Sequence, residues 1–166
     1  MGDVGYFDED GLLWFCGRKT HRLETREGIT LPVPAENVYN LHPRVRQTAL
    51  VGLGPRGRER PALIVEPEEK AMPRTAAERL KFAHELEDLA RERDRAPRNL
   101  ALPRIETVLY RRSFPVDVRH NAKINREALA RWAAEELTRE DLRHVLALHA
   151  EGANLAANPR QRDAAD

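Results

Sequence analysis

Val45-Arg46-Gln47-Thr48-Ala49-Leu50-Val51-Gly52-Leu53 and Pro61-Ala62-Leu63-Ile64-Val65-Glu66 decide the fold. Each stretch carries a short apolar run bounded by glycine or proline. Two such runs on either side of one loop read as neighbouring strands at the centre of a small sheet. The loop between them, Gly54-Pro55-Arg56-Gly57-Arg58, is a turn. It is glycine-rich, but it lacks the Gly-Lys-Ser/Thr ending and the following helix that a phosphate-binding loop needs.

Downstream, residues 67–74 form a linker, and Thr75 opens the clearest helix of the chain. Glu78 stands three residues on, as a capping box requires. Ala76, Leu80, Ala83, Leu86 and Ala90 predict its apolar stripe, with Phe82 and Leu89 beside it. The mixed charges Arg79, Lys81, Glu85, Asp88 and Arg91 read as its solvated face, and it ends before Pro97. Residues 104–111 read as a third strand.

Upstream, Pro34 opens a short helix over about 35–41 that stops at His42-Pro43. His42 reads as structural. Residues 22–34 predict a hairpin turning at Glu27-Gly28, and residues 5–18 predict an aromatic hairpin turning at Asp8-Glu9-Asp10-Gly11. The fold class that follows is α+β: a small sheet of about three strands flanked by helices, with an N-terminal β-hairpin. Residues 1–137 form one lobe. Residues 138–166 form a helical extension, striped by Leu142, Val145, Leu146 and Leu148, and a tail expected to be disordered from Pro159.

Charged residues make up 33% of the 166, yet the formal net charge is only +1, which argues against a dedicated nucleic-acid binder. No run approaches the length of a membrane span, and Met1-Gly2-Asp3-Val4-Gly5 shows no secretory signal. The single cysteine, Cys16, excludes an internal disulfide. These features predict a soluble cytoplasmic protein. The six histidines are dispersed without metal-ligand spacing, so no metal site is expected. Ser113 is the only serine, and no serine-histidine-acid constellation surrounds it.

One further stretch stands out: Phe114-Pro115-Val116-Asp117-Val118-Arg119-His120-Asn121-Ala122-Lys123-Ile124-Asn125-Arg126. Its only lysine is Lys123. Ile124, Ala128, Leu129, Trp132 and Ala133 follow at helical spacing. With Asn121 as the helix-start residue, Lys123 falls in or just before the first turn, where the helix dipole disfavours a cation. Such a lysine is either solvated or held out toward an anionic ligand.

This loop resembles the tenth core motif of the adenylate-forming superfamily, which includes acyl-CoA synthetases, luciferases and nonribosomal peptide adenylation domains. Lys123-Ile124-Asn125-Arg126 matches its last four positions, with Asn121-Ala122 in place of Ser-Gly. The wording from Phe114 to Ile124 resembles one branch in particular, the β-lactone synthetases of bacterial long-chain olefin biosynthesis. Gly2-Asp3-Val4-Gly5-Tyr6 and the run Asp10 to Gly17-Arg18 are similar to the seventh and eighth core motifs, with Met1 where the family has Thr.

The resemblance implies a role for each matching residue. Asp3 accepts from the ribose hydroxyls of the nucleotide, Arg18 contacts the same ribose, and Lys123 is catalytic. By position, Thr20 is the hinge, where the family has Asp or Lys. Without the resemblance, Asp3 is a solvated carboxylate near a chain start and Arg18 a surface residue after a strand. The resemblance also implies ATP as cosubstrate, and Mg2+ held by an N-terminal adenylation lobe in cis or in trans. A long-chain β-hydroxy acid or another carboxylate is the implied substrate. The chain is expected to be a fragment or one half of a split enzyme, inactive alone. A noncatalytic interaction module is the alternative reading.

Overall fold

In a computed structural model of the protein, the described residues are 2–94, 102–117 and 123–139. The expected Leu142–Leu148 helix, the tail and residues 118–122 lie outside them. The protein is α+β, as its sequence predicts. Strands β5 (Val45–Leu53), β6 (Arg60–Pro67) and β7 (Thr107–Tyr110) form the central sheet in that order. β5 runs antiparallel to β6, with Leu50 opposite Leu63; β6 runs parallel to β7, with Leu63 opposite Val108. A parallel neighbour cannot be reached by a tight turn, and the crossover from β6 to β7 contains helix α2 (Ala76–Asp94). β6 is buried on both faces: Ala62, Leu63, Ile64 and Val65 are all fully covered. This is why its sequence reads as an unbroken apolar run rather than an alternating one.

The core gathers Leu50, Leu63 and Val65 of the sheet with Phe82 and Leu86 of α2, joined by Leu23, Ala35, Tyr39 and Val45. The Thr75–Glu78 capping box is present. The Thr75 hydroxyl accepts from Glu78 N at 3.1 Å, and the Glu78 carboxylate accepts from Thr75 N at 3.1 Å. The expected stripe of α2 is corrected in its first turns, where Ala76 and Leu80 are exposed. Leu80 lies two residues before Phe82, so it points about 200° away around the helix. Phe82 and Leu86 carry the buried stripe instead.

Helix α1 (Pro32–Tyr39) begins earlier than expected, because Pro32 and Pro34 both fit a first turn whose N–H groups need no partner. The second hairpin is correspondingly short: β3 (Leu23–Thr25) pairs with β4 (Gly28–Thr30). His42 is structural, as expected. Its Nδ1 accepts from Arg44 N at 3.2 Å, and its ring lies 5.2 Å from that of Phe82.

The N-terminal hairpin pairs β1 (Asp3–Phe7) with β2 (Leu13–Arg18). A two-rung ladder pairs β8 (Val116–Asp117) with β9 (Lys123–Ile124). Helix α3 follows over residues 126–139 and buries Leu129 and Ala133 completely. The chain divides into two compact units, residues 1–133 and 134–166. Among the described residues no helix is long and apolar enough to cross a membrane.

Candidate functional site

At the base of the aromatic hairpin, Asp3 and Arg18 are direct cross-strand partners. A bulge brings them together. The register runs Val4 opposite Gly17 and Gly5 opposite Phe15, so Cys16 is the extra residue. An inserted residue re-aims the side chains that follow it. Cys16 and Gly17 turn inward and are buried, whereas Arg18 and Asp3 are exposed. Gly17 takes φ +113°, and a Cβ there would meet Val33 Cγ2 of α1 at 3.1 Å. Glycine therefore lets α1 close over the bulge. Burial raises the pKa of the Cys16 thiol, as befits an inert packing residue. The far end of the hairpin is fixed by Asp8. Its carboxylate accepts from Leu12 N at 2.8 Å and from the Trp14 indole N–H at 2.6 Å. The indole bond is the main reason that the Asp8 pKa lies below 3.8.

Thr20 sits in a single 3₁₀ turn, Lys19–His21, between two extended residues: Arg18 and Arg22 both have ψ 141°. Lys19 N donates to Gly2 O at 2.9 Å, tying the start of the turn to the hairpin base. His21 is half-buried. Its pKa is held below 6.5 first by burial and then by the positive charges of Arg126 and Arg18, while Glu36 and Glu127 pull the other way. The turn therefore lies within electrostatic reach of both the hairpin base and the start of α3.

Lys123 is exposed and lies in β9, opposite Asp117 of β8. This corrects the expected helix start. The cap is Asn125 rather than Asn121: its side-chain oxygen accepts from Ala128 N at 3.0 Å, the third helical N–H, and its carbonyl accepts from Leu129 N. Lys123 thus stands two residues ahead of the cap, in extended backbone. Asn125 N donates to Pro115 O at 2.9 Å, closing the base of the loop.

Two buried carboxylates anchor this loop at its ends. Glu66 of β6 is 3% exposed and accepts from Phe114 N at 2.8 Å and from the Gln47 amide at 2.8 Å. Glu36 of α1 is 5% exposed and accepts from Leu50 N at 2.6 Å. Glu36 also receives both arms of the Arg126 guanidinium: Nη1 on Oε1, and Nη2 on Oε2 at 2.7 Å. The sequence reading matches Arg126 to the last position of the tenth core motif, but assigns no function to it, to Glu36 or to Glu66. The available clue was a carboxylate placed on the inward side of a short helix or at the end of a buried strand, where an unpaired charge would be costly.

The fold therefore brings Asp3 and Arg18 together, places Thr20 two residues after Arg18, and presents Lys123 from a separate, anchored ladder. Exposed donors and acceptors in the first set suit a polyhydroxylated ligand; an exposed lysine suits an anion. Among the described residues no group of three or more His, Cys, Asp or Glu side chains could hold a metal ion.

No family model matches the chain. It is 50% identical over 137 residues to the olefin beta-lactone synthetase of Xanthomonas campestris pv. campestris and 43% identical over 137 residues to that of Stenotrophomonas maltophilia. Each match covers 82% of this chain, which spans about a quarter of the length of these relatives, 23% in both cases. Among solved structures, the anthranilate CoA ligase AuaEII with anthranoyl-AMP aligns with a TM-score of 0.62 at 24% identity, covering 80% of this chain and 23% of that one. The amide bond synthetase McbA from Marinactinospora thermotolerans aligns with a TM-score of 0.58 at 28% identity, covering 79% and 24%.

Proposed function

We propose that this chain, which belongs to the adenylate-forming superfamily, is the C-terminal catalytic lid of an ATP-dependent carboxylate-activating enzyme. The observation that carries the reading is the pairing of Asp3 with Arg18 across the bulged end of the hairpin. It supplies a carboxylate to accept from two adjacent ribose hydroxyls and a guanidinium to donate to the same sugar. In the first half-reaction a carboxylate oxygen of the substrate attacks the α-phosphorus of ATP. The new O–P bond forms as the bond to the β-phosphate oxygen breaks, and pyrophosphate leaves. Lys123, a mobile point charge, offsets the repulsion between the two anions and the charge that develops between them. Thr20 is the hinge about which the lid turns between poses. An N-terminal lobe would supply the remaining phosphate contacts and hold Mg2+.

The names of the two curated relatives favour β-lactone formation as the second step. The β-hydroxyl oxygen of the acyl adenylate attacks its own carbonyl carbon, AMP leaves with its phosphate oxygen, and the hydroxyl proton passes to solvent. The substrate is then a β-hydroxy acid of long chain.

The test is ATP–pyrophosphate exchange by this lobe joined to its adenylation lobe. Lys123→Ala is expected to lower exchange by about two to three orders of magnitude, by analogy with loss of an oxyanion donor, and the isolated chain is expected to show none. Product analysis with and without coenzyme A separates lactone from thioester. A second reading, a noncatalytic interaction module, is favoured by the exposed apolar face of the hairpin, where Phe7, Leu13 and Phe15 are 71%, 66% and 55% exposed. Under that reading Lys123→Ala leaves exchange and partner binding unaltered.

A further inference from the structure

Lys123 is three residues from Arg126, so its backbone can stray no further from that side chain's root than about 10 Å. Arg126 opens α3 with its side chain only 16% exposed and its planar fork seated on Glu36, whose side chain is 7% exposed. Glu36 is in turn fixed to the middle of β5 through Leu50 N, and Arg126 Nη1 also reaches Leu50 O at 3.4 Å. A bidentate guanidinium–carboxylate pair has one good geometry, whereas a pair of apolar side chains in the same place could slide. A buried ion pair adds little to stability, and its best use is to specify an arrangement. The opposite end of the loop is held by the Glu66 bond to Phe114 N. Phe114, nine residues before Lys123, and Arg126, three residues after it, are thus tied to the same sheet, through two carboxylates on different elements.

We infer that Arg126 is a positioning residue for Lys123, acting through its buried ion pair with Glu36. The inference rests on the catalytic reading of Lys123 given above. Arg126 does not reach the substrate; it fixes where the lysine starts from. Arg126→Lys keeps a charge but loses the fork, so it does not restore the arrangement.

The experiment is a double-mutant cycle on ATP–pyrophosphate exchange in the joined enzyme, with Lys123→Ala, Arg126→Met and the double variant. Arg126→Met is expected to lower kcat by about 10- to 100-fold with the KM for ATP changed less than threefold, as for a contact realised in the transition state. In the Lys123→Ala background it is expected to cost nothing more, because residues acting through one another are not additive. Equal fold-losses in both backgrounds would overturn the inference and leave Arg126 a stabilising residue only. Glu36→Gln keeps the acceptor for Leu50 N and serves as the second variant if Arg126→Met fails to fold. Hydrogen exchange of the 166-residue chain supplies a readout independent of catalysis. Amides of residues 123–126 are expected to exchange at least tenfold faster in Glu36→Gln, and unchanged rates would sink the positioning role. Should Lys123→Ala leave activity intact, the catalytic reading fails while the exchange measurement still judges the anchoring.

Discussion

The N-terminal hairpin and the central sheet are built from similar residues and end up in opposite environments. Phe7, Leu13 and Phe15 lie on one side of the hairpin and are more than half exposed, while Leu50, Leu63 and Val65 of the sheet are at most 1% exposed. The difference is in what covers them. The sheet has α1 and α2 against it; the hairpin touches the rest of its unit through α1 at the Cys16–Gly17 bulge. Apolar content alone does not make a core, because a strand contributes to stability only through the neighbours that exclude water from it. The hairpin's contribution lies in the bulge, which sets Asp3 opposite Arg18.

Truncation in the sheet should produce the largest effect. Leu63→Ala is expected to destabilise the chain by about 2–5 kcal/mol in urea unfolding; a loss under 1 kcal/mol would mean that the sheet is no better packed than the hairpin. Gly17→Ala strikes the point where the two regions meet. The positive φ and the 3.1 Å approach to Val33 predict a loss of about 1–3 kcal/mol, read as a lower midpoint, together with loss of the Asp3–Arg18 register by NMR. Acidification through the histidine range should act more mildly, through two half-buried histidines. His21 and His42 both have folded pKa values below 6.5, chiefly through burial. The unfolded chain therefore takes up protons first, and stability falls as pH drops through 6.5 and below. Tm measured at pH 7.5 and at about 5.5 checks this; a Tm that rises on acidification would contradict the burial argument. The smallest change is expected on the hairpin face, where Phe15→Ser should alter stability by less than about 0.5 kcal/mol while weakening retention on a hydrophobic column. A large loss there would show that the face is covered after all.

The central sheet was legible because its evidence is local. Val45–Leu53 and Pro61–Glu66 each carry their apolar run and their punctuation within a few residues. The capping box at Thr75 and Glu78 was legible for the same reason. The start of α3 was misread because Asn121 and Asn125 are equally good caps in isolation. What selects Asn125 is the pairing of residues 116–117 with 123–124 and the bond from Asn125 N to Pro115 O, neither of which has a local signature. The partnership of Asp3 with Arg18 depends on a bulge, and bulges are written in the packing of the opposing helix rather than in the strand. Glu36 and Arg126 are 90 residues apart, so no window along the chain contains both.

That separation also governs how the molecule comes together. β5 and β6 can zip through a short loop, but β7 must wait for the α2 crossover, and the Glu66–Phe114 bond spans 48 residues. Closing such distances costs chain entropy before any contact repays it. The seat of Lys123, which needs both long-range carboxylate contacts, is therefore expected to form late in refolding, after the sheet. During synthesis Arg126 emerges last of all the anchoring residues, so the seat of the lysine is expected to be the last of these features to form.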